Sequence, residues 1–230
     1  MNDIDKLKDE LVLACKIAAN EGLVPGFGHI SVRIPETDRF LITRMVALAD
    51  AKKEDVLTVD LNGRKVEGEG DLRGEVWLHT CIYRARPDVG SVSHVHPEYT
   101  IILGCTGTKI QPLHNVGAMF PEGVEIYHRA GHIHTEELGT EVAHSLGKSS
   151  ALMLRGHGAV VVGPDVMQAT LLSIYLEEAA RIQYRASLLG NAWFFSEEES
   201  QAIKELIYSP RLTPSVWQYY ANKIARKSGA

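Results

Sequence analysis

The chain has 230 residues, of which 45% are hydrophobic and 23% charged, a balance that supports a buried core and excludes a disordered or fibrous chain. The formal net charge is -5, with acidic and basic residues interspersed. That distribution carries no footprint for nucleic acid or an anionic membrane, so a small molecule is the expected partner.

The opening run MNDIDKLKDELVLACKIAANEGL places Ile4, Leu7, Leu11, Ala14, Cys15 and Ala18 at helical spacing with charges opposite. It does not read as a signal peptide, so a cytoplasmic location is expected. Cys15, Cys81 and Cys105 are too few and too widely spaced for a disulfide framework or a CxxC metal site, and read as small buried hydrophobes.

Gly22, Pro25, Gly26 and Gly28 mark a loop, followed by the strand-like runs HISVRI, RFLIT and VLTVDLNGRKV, the last with a hairpin signal at Asn62-Gly63. This region predicts a mostly antiparallel sheet. GEVWLHTCIYRAR, residues 74–86, has helical spacing and stops before Pro87, and GSVSHVH is a strand. Glu75 therefore sits at a helix start and His94 and His96 at a strand end.

PEYTIILGC predicts a short helix, TEELGTEVAHSLG one capped by Thr135, and SSALMLRGHGAVVVG two apolar strands joined through Gly156, His157 and Gly158. DVMQATLLSIYLEEAARIQYRASLLG predicts the longest helix, with Gly190 as a left-handed cap. Two further helices, in SEEESQAIKEL and TPSVWQYYANKIARK, follow. Without internal repeats or a Pro/Ser linker, residues 1–230 read as one α/β domain.

On a strand, residues i and i+2 face the same way, so His94 and His96 can converge on one ion. An HxH pair alone is weak evidence, equally suited to polar surface residues. A catalytic divalent site usually has three protein ligands and an open position, and His157, between glycines at a strand turn, is the best third candidate. Glu75 supplies a carboxylate as fourth ligand, general base, or both in alternation, against the simpler reading of a favourable charge at a helix N-terminus. His79, one turn later, reads as a packed histidine orienting another group.

The order GHISVR, then E-x-x-x-H, HVH and RGHG followed by a long helix resembles the class II aldolase/adducin family over most of the chain. The resemblance implies a central, largely antiparallel sheet flanked by helices, and a homotetramer with sites at subunit boundaries. It implies a divalent metal, zinc or manganese with iron or cobalt as further options, on His94, His96 and His157, with Glu75 acting in catalysis.

The sugar-phosphate members of the family hold phosphate with Gly-Asn, Thr-Gly and Ser-Ser pairs, where this chain has Gly28-His29, Thr43-Arg44 and Arg73-Gly74. Arginine forks suit planar carboxylates. Asn115 stands where the aldolases carry an acidic tyrosine; Tyr219 or Tyr220 could supply another donor. The pattern resembles more closely the family's decarboxylases of hydroxylated aromatic dicarboxylates, such as dihydroxyphthalates or hydroxypyridine dicarboxylates. The expected assignment is Glu75 as acid/base, His29 as hydrogen-bonding aid or proton donor, and Arg44, Arg73, Thr43 and Asn115 toward substrate. A sugar-phosphate aldolase or epimerase is the alternative, and a non-catalytic adducin-like module a third, disfavoured by the presence of every candidate ligand.

Overall fold

The computed structural model describes residues 3–209 and 212–228. Helix α1 (Asp3–Asn20) leads into β1 (His29–Arg33), β2 (Arg39–Thr43), β3 (Val56–Asp60) and β4 (Lys65–Glu67). Then come α2 (Val76–Ala85), β5 (Ser91–Val95), α3 (Glu98–Thr106), β6 (Ile126–Tyr127), α4 (Glu136–Leu146), β7 (Ala151–Leu154), β8 (Gly158–Gly163) and α5 (Val166–Ser187). Helices α6 (Glu197–Ile207) and α7 (Thr213–Ser228) follow.

The strands form one mixed sheet in the order β4-β3-β2-β1-β5-β8-β7-β6, antiparallel throughout except for the β6–β7 pair. Its faces sort by the two-residue period of each strand. Leu41, Val95, Ala159 and Val161 join the core beneath α1, α3 and α5. Phe40, Ile42, Val92, Val160 and Val162 join the core beneath α2 and α4. Burying each of the Val, Leu, Ile and Phe side chains among these stabilises the fold by roughly 1.5–3 kcal/mol.

That parity positions the site. His94 shares the face of Val92, the side that α2 covers, and β1 pairs His29 with His94 and Ser31 with Val92. His29, Ser31 and His94 therefore lie under α2, whose first turn overhangs the strand ends.

Most predicted elements are present, including Gly63 at φ 74° in the β3–β4 turn and the Thr135 cap, whose side chain accepts from the Leu138 amide. Three details differ. Helix α5 ends at Ser187 with Leu188 in a right-handed conformation, so Gly190, at φ 123°, lies beyond the cap. Cys105 is exposed, because it falls on the outer side of a short helix, whereas Cys15 and Cys81 are buried. Strand β6 has only two residues and escapes any period-two pattern.

Candidate metal centre and active site

His94 is the penultimate residue of β5, a strand buried along its whole length, and His96 follows directly after the strand. Its neighbour across the ladder is β8, where Gly158 is required: a Cβ there would lie 2.2 Å from the Val95 carbonyl oxygen and 2.6 Å from His96 Cδ2. The β7–β8 turn, with Gly156 at φ 68°, carries His157 to the same spot. Gly28, at φ 121°, brings β1 in so closely that a Cβ would meet Val24 Cγ1 at 2.4 Å and the His94 carbonyl oxygen at 3.0 Å.

These constraints bring His94, His96 and His157 together, with one ligand atom from each inside a 4.8 Å cluster. His94 Nδ1 is 3.0 Å from the Ala159 carbonyl, which accepts its hydrogen and leaves the lone pair on Nε2. His96 Nε2 lies 3.0 Å from His94 Nε2. Both ring nitrogens of His157 are buried without a hydrogen-bond partner. Burial, then the neighbouring His94, pushes His96 and His157 each down to about 4, so both are neutral at ordinary pH. Converging neutral imidazoles with unsatisfied nitrogens are costly in a protein interior, and a divalent cation satisfies them. The donor set fits such an ion.

Glu75 is the N-cap residue of α2, yet its side chain makes no capping bond. Its Oε1 accepts from the Ile133 amide at 2.7 Å, while Oε2 lies 3.3 Å from His94 Nε2, 3.6 Å from His29 Nε2 and 3.7 Å from His157 Nε2. Burial alone would raise its carboxyl, but the neighbouring His29 and His94 imidazoles and the hydrogen bond from the Ile133 amide hold it well below the usual carboxylate range. Glu75 is thus an ionised carboxylate with three imidazoles beside its Oε2, able to bind a cation or take a proton.

A cavity of about 800 Å³ opens over this cluster. Its polar floor is His29, Arg73, Glu75, His96 and His157, and Phe27, Met45 and Ile101 supply apolar wall. Arg73, 8% exposed, donates from Nε to the Thr43 carbonyl and from Nη2 to Thr43 Oγ1 and the Val46 carbonyl. Thr43 thus serves Arg73 and is not itself among the cavity-lining residues.

The structure does not bring Arg44 or Asn115 to the cavity of this chain. Arg44 is paired with Asp55 through Nε and Nη2, both 2.7 Å from Oδ1. Asn115 is exposed, in the stretch between α3 and β6. Tyr219 and Tyr220 lie on α7 outside the cavity lining, their rings edge to face.

The sequence reading missed His132 and His134, which line the cavity. His132 Nδ1 is 3.7 Å from Glu75 Oε1, and its ring centroid is 5.1 Å from that of His157. The signal was present as the second HxH spacing of the chain, GHIHTE, but in a loop with no strand to align it. Phe27 and Met45, 76% and 61% exposed, had no signal, since their role depends on loops folding over the sheet end.

Residues 9–184 match the family described as Class II Aldolase and Adducin N-terminal domain. The chain is 32% identical over 202 residues to a 3,4-dihydroxyphthalate decarboxylase of Arthrobacter keyseri, covering 80% of each chain. It is 34% identical to a 3,4-dihydroxyphthalate decarboxylase of Terrabacter sp. strain DBF63, covering 78% of this chain and 80% of that one. The solved structure of an L-fuculose 1-phosphate aldolase superimposes with a TM-score of 0.82 at 25% identity, over 89% of this chain and 97% of the other.

Proposed function

From the premise that the chain belongs to the class II aldolase and adducin family of lyases, we propose that it is a divalent-metal-dependent, non-oxidative decarboxylase of a hydroxylated aromatic dicarboxylate. The observation that carries this reading is a largely apolar cavity with three convergent histidines, an ionised glutamate and a buried arginine at its base. A planar ring with adjacent hydroxyl and carboxylate groups suits that combination, and the decarboxylases among the relatives support it.

In this reading His94, His96 and His157 hold the ion, which supplies Lewis acidity toward the substrate's oxygen atoms. Phe27, Met45 and Ile101 orient the ring. Arg73, pre-set by its bonds to Thr43 and Val46, donates to a carboxylate from its remaining nitrogen, Nη1. Glu75 Oε2 faces the ligand nitrogens and takes or returns a proton at the reacting carbon or hydroxyl, while His29 presents Nε2 beside it, 3.6 Å away.

We further propose that residues 1–230 form one domain that acts in the cytoplasm and assembles as a homotetramer with sites at subunit boundaries. No described helix is long and apolar enough to cross a membrane. The exposed Leu189 and Trp193, 93% and 88% accessible, support the assembly. Arg44 and Asn115 then act only where a neighbouring chain completes a site.

A second reading, a sugar-phosphate aldolase, draws on the likeness to the L-fuculose 1-phosphate aldolase structure. Reconstituted protein incubated with hydroxylated phthalates and pyridine dicarboxylates, and separately with ketose phosphates, decides between them. Carbon dioxide from the first set is expected; aldehyde from the second alone overturns the proposal.

A further inference from the structure

Helix α2 and strand β1 share a ladder of polar groups. Glu75, His79 and Tyr83 recur at i, i+4 and i+8, one stripe of the helix, and His29 and Ser31 at i and i+2, one face of the strand. The two stripes interlock. His29 Nδ1 is 2.6 Å from His79 Nε2, His79 Nδ1 is 2.6 Å from Ser31 Oγ, and Ser31 Oγ is 2.7 Å from Tyr83 Oη. All four residues are buried, with His79 and Ser31 at 0% exposure.

A chain of single hydrogen bonds runs in one direction only, since each neutral imidazole has one N–H. Run from Tyr83, every bond has its donor: Tyr83 donates to Ser31, Ser31 to His79 Nδ1 and His79 Nε2–H to His29 Nδ1, which leaves the His29 hydrogen on Nε2, facing Glu75 Oε2 at 3.6 Å. Run the other way, His29 would set a lone pair against the Glu75 carboxylate 3.6 Å away, and the Tyr83 hydrogen would have no acceptor in the chain. We propose that His79 and Ser31, anchored on Tyr83, are positioning residues that hold His29 as the Nε2–H tautomer with that hydrogen aimed at the active site.

The far end of the chain is suited to this. Burial pushes the Tyr83 hydroxyl well above its ordinary value against the opposing effects of Ser31 and Arg33, so it keeps its hydrogen. Arg33, whose guanidinium carbon sits 4.7 Å from the centre of the Tyr83 ring and which donates to the Tyr83 carbonyl, closes that end. The chain therefore orients His29 and does not conduct protons away from it.

The inference rests on the reading of His29 as a group acting in the active site, and the test separates the two. Zinc-loaded protein labelled with ¹⁵N-histidine is expected to show protonated Nε2 and unprotonated Nδ1 for both His29 and His79. Ser31→Ala is expected to mix the His79 tautomers and lower kcat roughly 10- to 100-fold with KM unchanged. Tyr83→Phe, which keeps the ring packing and the Ser31 hydroxyl, gives a smaller fall and serves if Ser31→Ala fails to fold. A protonated Nδ1 on His29 in the unaltered protein, or kcat unchanged in both variants, overturns the inference. Full activity of His29→Ala with the expected tautomers would instead overturn the role of His29 in the reaction.

Discussion

Gly158 packs directly against His96: a Cβ at position 158 would lie 2.6 Å from His96 Cδ2 and 2.2 Å from the Val95 carbonyl oxygen. The absence of one side chain on β8 thus lets the HxH pair of β5 and the RGHG turn reach one point. Gly158→Ala is expected to push the strands apart, lower stability by about 1–3 kcal/mol and weaken metal binding roughly 10- to 100-fold. Isothermal titration with zinc and urea unfolding measure the two effects, and unchanged affinity would remove the close-approach argument.

Glu75 divides its two oxygens between structure and chemistry. Glu75→Gln keeps an oxygen for the Ile133 amide but loses the charge that faces His94, His29 and His157. The expected result is a folded protein whose kcat falls on the order of 10²- to 10⁴-fold. A variant within a few-fold of the unaltered protein would move the acid/base role to another residue, with His29 and His132, 3.6 and 3.7 Å from Glu75, the candidates outside the ligand triad.

Arg73 and Arg44 separate the two arginines singled out from the sequence. Arg73 lines the cavity and is held by Thr43 and Val46, whereas Arg44 is committed to Asp55. Arg73→Lys loses the planar fork and is expected to raise KM roughly tenfold or more. Arg44→Ala changes KM little unless a neighbouring chain brings that residue to a site, which the same steady-state measurement on the assembled protein reports.

Cys15 gives stability an alkaline limit. Burial pushes its thiol up to about 12 against the opposing pull of Arg73, while the unfolded thiol ionises near its ordinary value of 9.0. Between these values the unfolded state has lost a proton that the folded state retains, so stability falls as pH rises above about 9, by up to about 1.4 kcal/mol per pH unit for this one group. Urea unfolding of the unaltered protein and Cys15→Ala from pH 8 to 10.5 should show a shallower decline in the variant. Equal slopes would contradict it.

Much of the site was legible in the sequence because its ligands ride on regular elements. The two-residue period put His94 and His96 on one face, Gly-His-Gly marked a turn between buried strands, and Pro87 closed a helix that Glu75 opens. The i, i+4 spacing also placed His79 under Glu75, though not its bonds to His29 and Ser31. What stayed hidden lies in loops or depends on partners. His132 and His134 reach the cavity from an irregular stretch, and Phe27 and Met45 from loops that fold over the sheet end. Arg44 has the residue type of a carboxylate clamp, but Asp55, eleven residues on, occupies it, a pairing with no periodic signature.

The most direct test uses a hydroxylated phthalate carrying ¹³C in its carboxyl groups, incubated in D₂O with metal-loaded and with chelator-stripped protein. The account predicts ¹³CO₂ released one for one with a ring product bearing a single deuterium at the vacated carbon, from the metal-loaded protein alone. Equal release from the stripped protein, or none from either across the hydroxylated phthalates and pyridine dicarboxylates, would contradict it.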